Sequence, residues 1–264
     1  MRFPPGISML VKKMEKQRTE EEVPQDSIRG ERTGEEYRGE AVRQFSALYE
    51  VVHTLRGEGG CPWDRAQTHE SLKPYLIEEA YETVDAVNAM KNGNGCEALK
   101  EELGDLLFQI LLYSEIACQE GMFSFGDVAA AARDKMIYRH PNVFPDADGK
   151  RRQQNWEKLK REERPEETPQ EEMERIPHCF PALMRTQKIQ KKMTAYDGAE
   201  KTTAEAVRTA ETLLEAFRKK NAGSKEAGAL LYEICRILGA AGIHAEQALK
   251  DTVEEKLETR RKRN

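Results

Sequence analysis

Between Cys96 and Glu120 the large apolar residues Leu99, Leu103, Leu106, Ile110 and Tyr113 recur at alternating steps of four and three. That spacing follows the 3.6-residue turn of an α-helix and cannot line one face of a strand, whose period is two. Phe45, Leu48, Val52 and Leu55 show the same pattern upstream. Each periodic stretch ends at a breaker. Gly57-Glu58-Gly59-Gly60-Cys61-Pro62 stops the first. Asn92-Gly93-Asn94-Gly95 separates a helix expected over Ser71–Met90 from one expected over Cys96–Glu120, and Pro141 closes another expected over Phe125–Arg139. After Pro181, helices are expected near 182–193, 203–220, 224–240 and 243–262. No stretch alternates as a half-buried strand does. The expected fold class is all-α, an antiparallel helical bundle, because short links favour antiparallel neighbours.

Two regions stand apart. Residues 1–40 carry Glu20, Glu21, Glu22, Pro24, Gly30, Gly34 and Gly39 and few large apolar residues after Val11. They read as a disordered tail, with a short helix around Ser8–Arg18. Residues 145–177 are mostly charged and contain Pro165, Pro169 and Pro177, so they read as a linker with a short helix at Trp156–Lys160. The expected organisation is a tail at 1–40, a module at 41–144, the linker, and a second module at 178–264.

The two modules look like copies. Glu102-Leu-Gly-Asp105-Leu-Leu-Phe-Gln-Ile110 recurs as Glu226-Ala-Gly-Ala229-Leu-Leu-Tyr-Glu-Ile234. Gly121 and Gly242 then lead into helices that end in Lys135…Arg139 and Lys256…Arg260. Apolar positions are kept, but Asp105 is replaced by Ala229. Upstream, Glu78, Glu79 and Glu82 face a second-copy stretch, Val207–Leu214, that offers only Glu211. The second copy is expected to pack but not to hold a cation.

In the first copy the acids are arranged by helical spacing. Glu79 and Glu82 are three apart and Glu78 and Glu82 four apart, so they share much of one face, and Asp85 continues it. Glu102 and Asp105 are again three apart on the next helix. Val84, Val87, Leu103 and Leu106 border them, so the acids flank faces that should be buried. Two carboxylates 4 Å apart repel by roughly 4 kcal/mol at an effective dielectric near 20. Protonation relieves that repulsion, and so does a divalent ion. All-oxygen ligands favour a hard cation, Mg²⁺ or Mn²⁺, over Zn²⁺.

Charge and composition narrow the function. Against 42 basic side chains stand 47 acidic ones, a net charge of −5, which lacks the basic excess that drives bulk nucleic-acid binding. The basic stretch Arg260-Arg-Lys-Arg263 reads as a solvated terminus. No apolar run approaches the roughly 20 residues that span a bilayer, and Phe3–Val11 is too short for a signal peptide. Five cysteines are scattered without a Cys-x-x-Cys pair, as expected of reduced thiols in the cytoplasm. No nucleic-acid or membrane partner is expected. No GxxxxGK[ST] loop is present either.

Glu78-Glu79-xx-Glu82 followed by Glu102-xx-Asp105 resembles the EExxE…ExxD signature of the MazG family of nucleoside triphosphate pyrophosphohydrolases. Gly60-Cys-Pro-Trp-Asp64, Arg139-His-Pro-Asn-Val-Phe144 and Pro181-Ala-Leu-Met-Arg-Thr-Gln-Lys-Ile-Gln190 also look like MazG segments, so the resemblance extends over roughly residues 42–264. It implies helical modules completed by dimerisation. It also implies hydrolysis of a nucleoside triphosphate between the α and β phosphates, in a sanitising role. By the same resemblance, Glu79, Glu82, Glu102 and Asp105 are the Mg²⁺ ligands and Glu78 orients or deprotonates the attacking water. Lys135 and Arg139 match phosphate-contacting positions, and Trp156 and Lys160 match a segment that approaches the nucleotide. These assignments go to the first module, and the second is expected to be a non-catalytic partner. Trp63 reads first as a core aromatic, with the border of a base pocket as its other place.

Two other readings stand beside this one. A di-iron carboxylate bundle also uses inward acids, but it needs Glu-x-x-His pairs, and Glu50-Val-Val-His53 lies in another helix. A helical adaptor that kept the bundle and lost turnover is the non-enzymatic reading.

Overall fold

The structure, a computed structural model, describes residues 34–90, 95–145, 156–197 and 202–263. The described residues are helical or irregular, with no strand among them. The chain divides after Met136 into two compact units.

The first unit opens with α1, Gly34–Arg56, which carries Glu35 and Glu36 in its first turn and His53 and Arg56 in its last. Both pairs oppose the helix dipole favourably. A short helix, α2, Pro62–Ala66, follows with proline at its start. Then come α3, Lys73–Met90, and α4, Cys96–Gln119, which pack along each other. Gly95, at φ +100°, starts α4, and a Cβ there would meet the Ala86 carbonyl at 3.0 Å. Helix α5, Phe125–Arg139, is tied by its first residue, whose ring lies 5.1 Å from that of Phe45.

Val52, Leu72, Leu111, Leu112 and Ile116 form the buried core of this unit, with Phe45, Leu48, Tyr75 and Phe108 around it. The stripe read from sequence on α4 is therefore not its buried face within the chain. Leu103 and Ile110 stay 51% and 43% exposed. Burial on α4 is concentrated in its C-terminal half, between Gln109 and Ala117, while its N-terminal half stays largely open.

In the second unit, α6, Trp156–Glu162, and α7, Pro169–Glu174, precede α8, Ala182–Asp197. The hairpin of α9, Thr203–Arg218, and α10, Ser224–Ala240, comes next, and then α11, Ala245–Arg261. Ala206, Ala210, Cys235 and Ala245 are buried, small enough for close helix approach. Gln187 binds three backbone groups, donating to the carbonyls of Cys235 and Ile243 and accepting from the Ala245 amide at 2.9 Å. Glu172 is buried and holds Lys192 at 2.5 Å and the Tyr196 hydroxyl.

Several boundaries differ from expectation. The tail expected to residue 40 gives way to helix at Gly34, and the helix expected at Ser8–Arg18 lies outside the described residues. The stretch expected as linker holds two helices rather than one. At α7, Thr168 and Glu171 form a reciprocal cap around Pro169, so the proline starts a helix instead of breaking one. Helix α8 runs four residues beyond its expected end. Among the described residues, no helix is long and apolar enough to cross a membrane.

Candidate metal centre

Helices α3 and α4 bring Glu79, Glu102 and Asp105 together. Each offers a carboxylate oxygen within 4.8 Å of the others. Glu79 is buried, and the other two are half-buried. The two acids on α4 face the same way because they lie one turn apart. Glu79 meets them from α3, where Ala86 is buried on the same side two turns on.

The electrostatics are those of crowded negative charge. Burial, and then the charges of Asp105, Glu82, Glu102 and Glu78, push the Glu79 carboxyl up to about 7. Burial raises Glu102 as well, helped by Glu82 and Asp105. Asp105 is raised by burial and by Glu101 and Glu82. No described lysine or arginine pairs with these three acids. Glu102 Oε2 is buried with no hydrogen-bond partner. An orphaned oxygen beside two more carboxylates fits a hard divalent cation, which would supply the missing positive charge and accept all three as ligands.

The other expected site residues fall in different places. Glu82 is exposed and outside the close trio, though its charge acts on Glu79 and Glu102. Glu78 is exposed beside Glu79, and Asp85 is exposed. Lys135 is exposed near the end of α5 and makes no hydrogen bond or ion pair with a described residue. Arg139 is engaged in its own unit. Its Nε and Nη2 donate to Glu163 Oε1 and Oε2, both at 2.6 Å, while the Tyr138 hydroxyl donates to Glu162 at 3.3 Å. Lys160 is half-buried on α6, and the side chain of Trp156 lies outside the described residues.

His53 Nδ1 lies 3.0 Å from Glu115, a buried acid on α4 that also accepts from Gln119. Ten residues separate Glu115 from Asp105, about 15 Å along the helix, so this pair adds no histidine to the trio.

Trp63 is not a core residue. It is 44% exposed and stands edge-on to Tyr75, with ring centroids 5.8 Å apart. Its loop is held by backbone contacts instead. The Cys61 amide donates to the Leu55 carbonyl at 2.8 Å, and Arg56 donates to the carbonyls of Asp64 and Gln67. A Cβ on Gly60 would lie 2.3 Å from the Leu55 carbonyl, so only glycine fits that approach.

Sequence reasoning missed Gln109. It is buried on α4, one turn beyond Asp105, and its Oε1 has no hydrogen-bond partner. The available signal was a single amide inside the apolar run Leu106–Leu112.

The profile described as the MazG nucleotide pyrophosphohydrolase domain matches residues 67–144. A nucleoside triphosphate pyrophosphohydrolase of Escherichia coli (strain K12) is 41% identical over 155 residues, 57% of each chain. The present chain thus spans little more than half the length of that relative. A Thermotoga maritima protein named nucleoside triphosphate pyrophosphohydrolase/pyrophosphatase MazG is 35% identical over 215 residues, 80% of this chain and 82% of that one. The YabN protein of Bacillus subtilis (strain 168) is 39% identical over 151 residues, 56% of this chain and 30% of that one.

Proposed function

This chain belongs to the MazG family, and we propose that it hydrolyses nucleoside triphosphates with a divalent cation, Mg²⁺ or Mn²⁺, to nucleoside monophosphate and pyrophosphate. The observation that carries this reading is the convergence of Glu79, Glu102 and Asp105 around a buried, unpartnered carboxylate oxygen. Water adds to the α phosphorus, the bond to the bridging oxygen breaks, and one proton is released. The cation, when bound, neutralises phosphate oxygens and lowers the pKa of a coordinated water. Glu79, Glu102, Asp105 and the neighbouring Glu82 hold it. Glu78, next to Glu79, orients the attacking water and takes its proton. Lys135, Arg139, Trp156 and Lys160 keep the substrate-binding roles that the family resemblance gives them.

The exposed apolar residues of α3 and α4 support a homodimer. Ile77, Tyr81, Val84, Val87, Leu103 and Ile110 are each more than 40% exposed. Such a surface on a helical hairpin is covered most simply by a second copy. Static light scattering that gives a monomer mass at micromolar concentration would remove this part of the reading. We place the protein in the cytoplasm, in a nucleotide-sanitising role, with no membrane or nucleic-acid partner.

The test is incubation of the purified chain with mixed nucleoside triphosphates and Mg²⁺. Pyrophosphate release that depends on the metal and disappears in Glu79→Ala is the expected result. Release of inorganic phosphate instead, or activity indifferent to Glu79→Ala, overturns the proposal. Pyrophosphate-free solutions with every nucleotide favour the helical adaptor. A di-iron bundle has nothing further in its support, since the trio contains no histidine.

A further inference from the structure

Helix α6 carries Lys160, and its seven residues make about two turns, too short to hold their shape alone in water. What grips the helix therefore decides where that lysine stands. Lys160 is half-buried and makes no hydrogen bond or ion pair with a described residue. Its neighbours are engaged. Leu159 is buried, Lys158 lies 3.7 Å from Glu162, and Arg161 Cζ stands 4.9 Å from the centre of the Tyr196 ring. Just past the helix, Glu163 accepts from Nε and Nη2 of Arg139, while Glu162 accepts from the Tyr138 hydroxyl.

The hold on Arg161 is built inside the second unit. Glu172 on α7 is 7% exposed, a poor place for a carboxylate unless donors meet it. Two do, both from α8: Lys192 at 2.5 Å and the Tyr196 hydroxyl. They lie four residues apart, on one face of α8. Burial pushes the Glu172 carboxyl up, but the hydrogen bonds from Lys192 and Tyr196, with the charges of Lys192 and Arg161, hold it below the usual carboxylate range. Glu172 fixes the tyrosine hydroxyl, the hydroxyl fixes the ring, and the ring face receives Arg161. A tyrosine tied at its far end offers a set face rather than a swinging one.

We propose that Tyr196 and Glu172 are positioning residues for hydrolysis, which set α6 through Arg161 and so hold Lys160 ready for the phosphates of the substrate. The inference rests on the triphosphate reading above, in which Lys160 binds substrate. It gives the second unit a task in turnover that needs no metal ligand of its own.

The experiment is a double-mutant cycle on the full chain with Mg²⁺, read by steady-state hydrolysis of the nucleoside triphosphate that the wild type turns over fastest. Lys160→Ala is expected to raise KM about tenfold, the loss of one charge-assisted contact. Arg161→Gln and Tyr196→Leu should each raise it about fivefold with kcat nearly unchanged, and Tyr196→Phe, which keeps the ring, should recover part of the loss. In the Lys160→Ala background the same changes should add less than about twofold, because they act through an amine already removed. The control is Gln187→Ala, which breaks three hydrogen bonds elsewhere on α8 and should lower Tm while KM stays at the wild-type value. Equal effects of Arg161→Gln in the two backgrounds overturn the proposal, as does an unchanged KM in Arg161→Gln or in Lys160→Ala. A KM that rises as far in Gln187→Ala as in Tyr196→Leu overturns it too, by showing a general loss of stability. Arg161→Gln, an exposed change, decides the case if Tyr196→Leu does not fold. Absence of pyrophosphate from every nucleoside triphosphate with the wild type is a different failure, which removes the hydrolase reading and this proposal with it.

Discussion

The hairpins α3–α4 and α9–α10 carry the same nine-residue pattern and treat its first acid in opposite ways. Glu102 stands in the seventh position of α4, among other acids, and its carboxyl is pushed up by burial and by their charge. Glu226 stands in the first turn of α10, accepts the Gly223 amide at 2.8 Å, and is held below the usual carboxylate range by backbone hydrogen bonds. One acid stands in a crowd of like charge, with a buried oxygen that meets no donor. The other already has its partner in the orphan amides of a helix start. Asp105 has an alanine counterpart, Ala229. Gln109 and Glu233 correspond and both are buried, but Gln109 Oε1 meets no hydrogen-bond donor while Glu233 Oε2 has Arg236 Nε 3.4 Å away to supply a charge. The lesson is that a repeated sequence is not a repeated site. The same carboxylate joins an acidic cluster or closes a helix start according to where the helix begins.

The comparison breaks most visibly in activity. Asp105→Ala or Glu79→Ala should lower pyrophosphate release by at least a hundredfold, on the order of a badly disturbed metal site. Glu226→Ala and Glu211→Ala should stay within about twofold of wild type. A loss that follows Glu226 instead would move the centre to the second unit.

A smaller effect should appear in ligand-linked stability. Mg²⁺ with a non-hydrolysable triphosphate at a hundred times its Kd should stabilise the first unit by about 2.7 kcal/mol. Differential scanning calorimetry would read this as a rise in Tm, abolished in Asp105→Ala. Ala229→Asp should not create a second response, because its neighbour Glu226 is occupied as a cap.

The pH dependence sharpens the contrast further. Glu79 is raised to about 7 in the fold from 4.5, so without metal it binds a proton more tightly when folded. Its favourable contribution is present below pH 4.5 and lost as pH rises through 7. Glu79→Gln, which mimics the protonated form, should therefore gain in Tm over the metal-free wild type between pH 5 and pH 8, with little difference at pH 4. Parallel Tm curves would show that the trio is not crowded. The smallest effect belongs to the second unit. Glu226→Ala removes the acceptor of the Gly223 amide and should lower the denaturant midpoint slightly, with the opposite pH sign, since Glu226 stabilises only while it is ionised.

Much of this was legible from local spacing. The limits of α5 and α10 follow from breakers and caps, and the pairing of Glu102 with Asp105 follows from one turn of helix. Other features depended on what packs against what. Trp63 looked like core because it is large and apolar, but its loop is pinned by Arg56 and a tight approach at Gly60, so burial was not needed. Leu103 and Ile110 share an apolar stripe but stay exposed, because burial on α4 is concentrated further along, from Leu111 to Ala117. Pro169 looked like a breaker until Thr168 and Glu171 closed a cap around it.

The amino-acid order alone determined that the chain is helical, where most helices start and stop, and that five acids stand a turn apart beside apolar residues. These follow from steric and hydrogen-bonding rules that act over three or four residues. Only the packing of α3 on α4 decided that Glu79, Glu102 and Asp105 converge while Glu78 and Glu82 stay in solvent. Convergence joins residues more than twenty positions apart, and the path of the whole chain sets that distance.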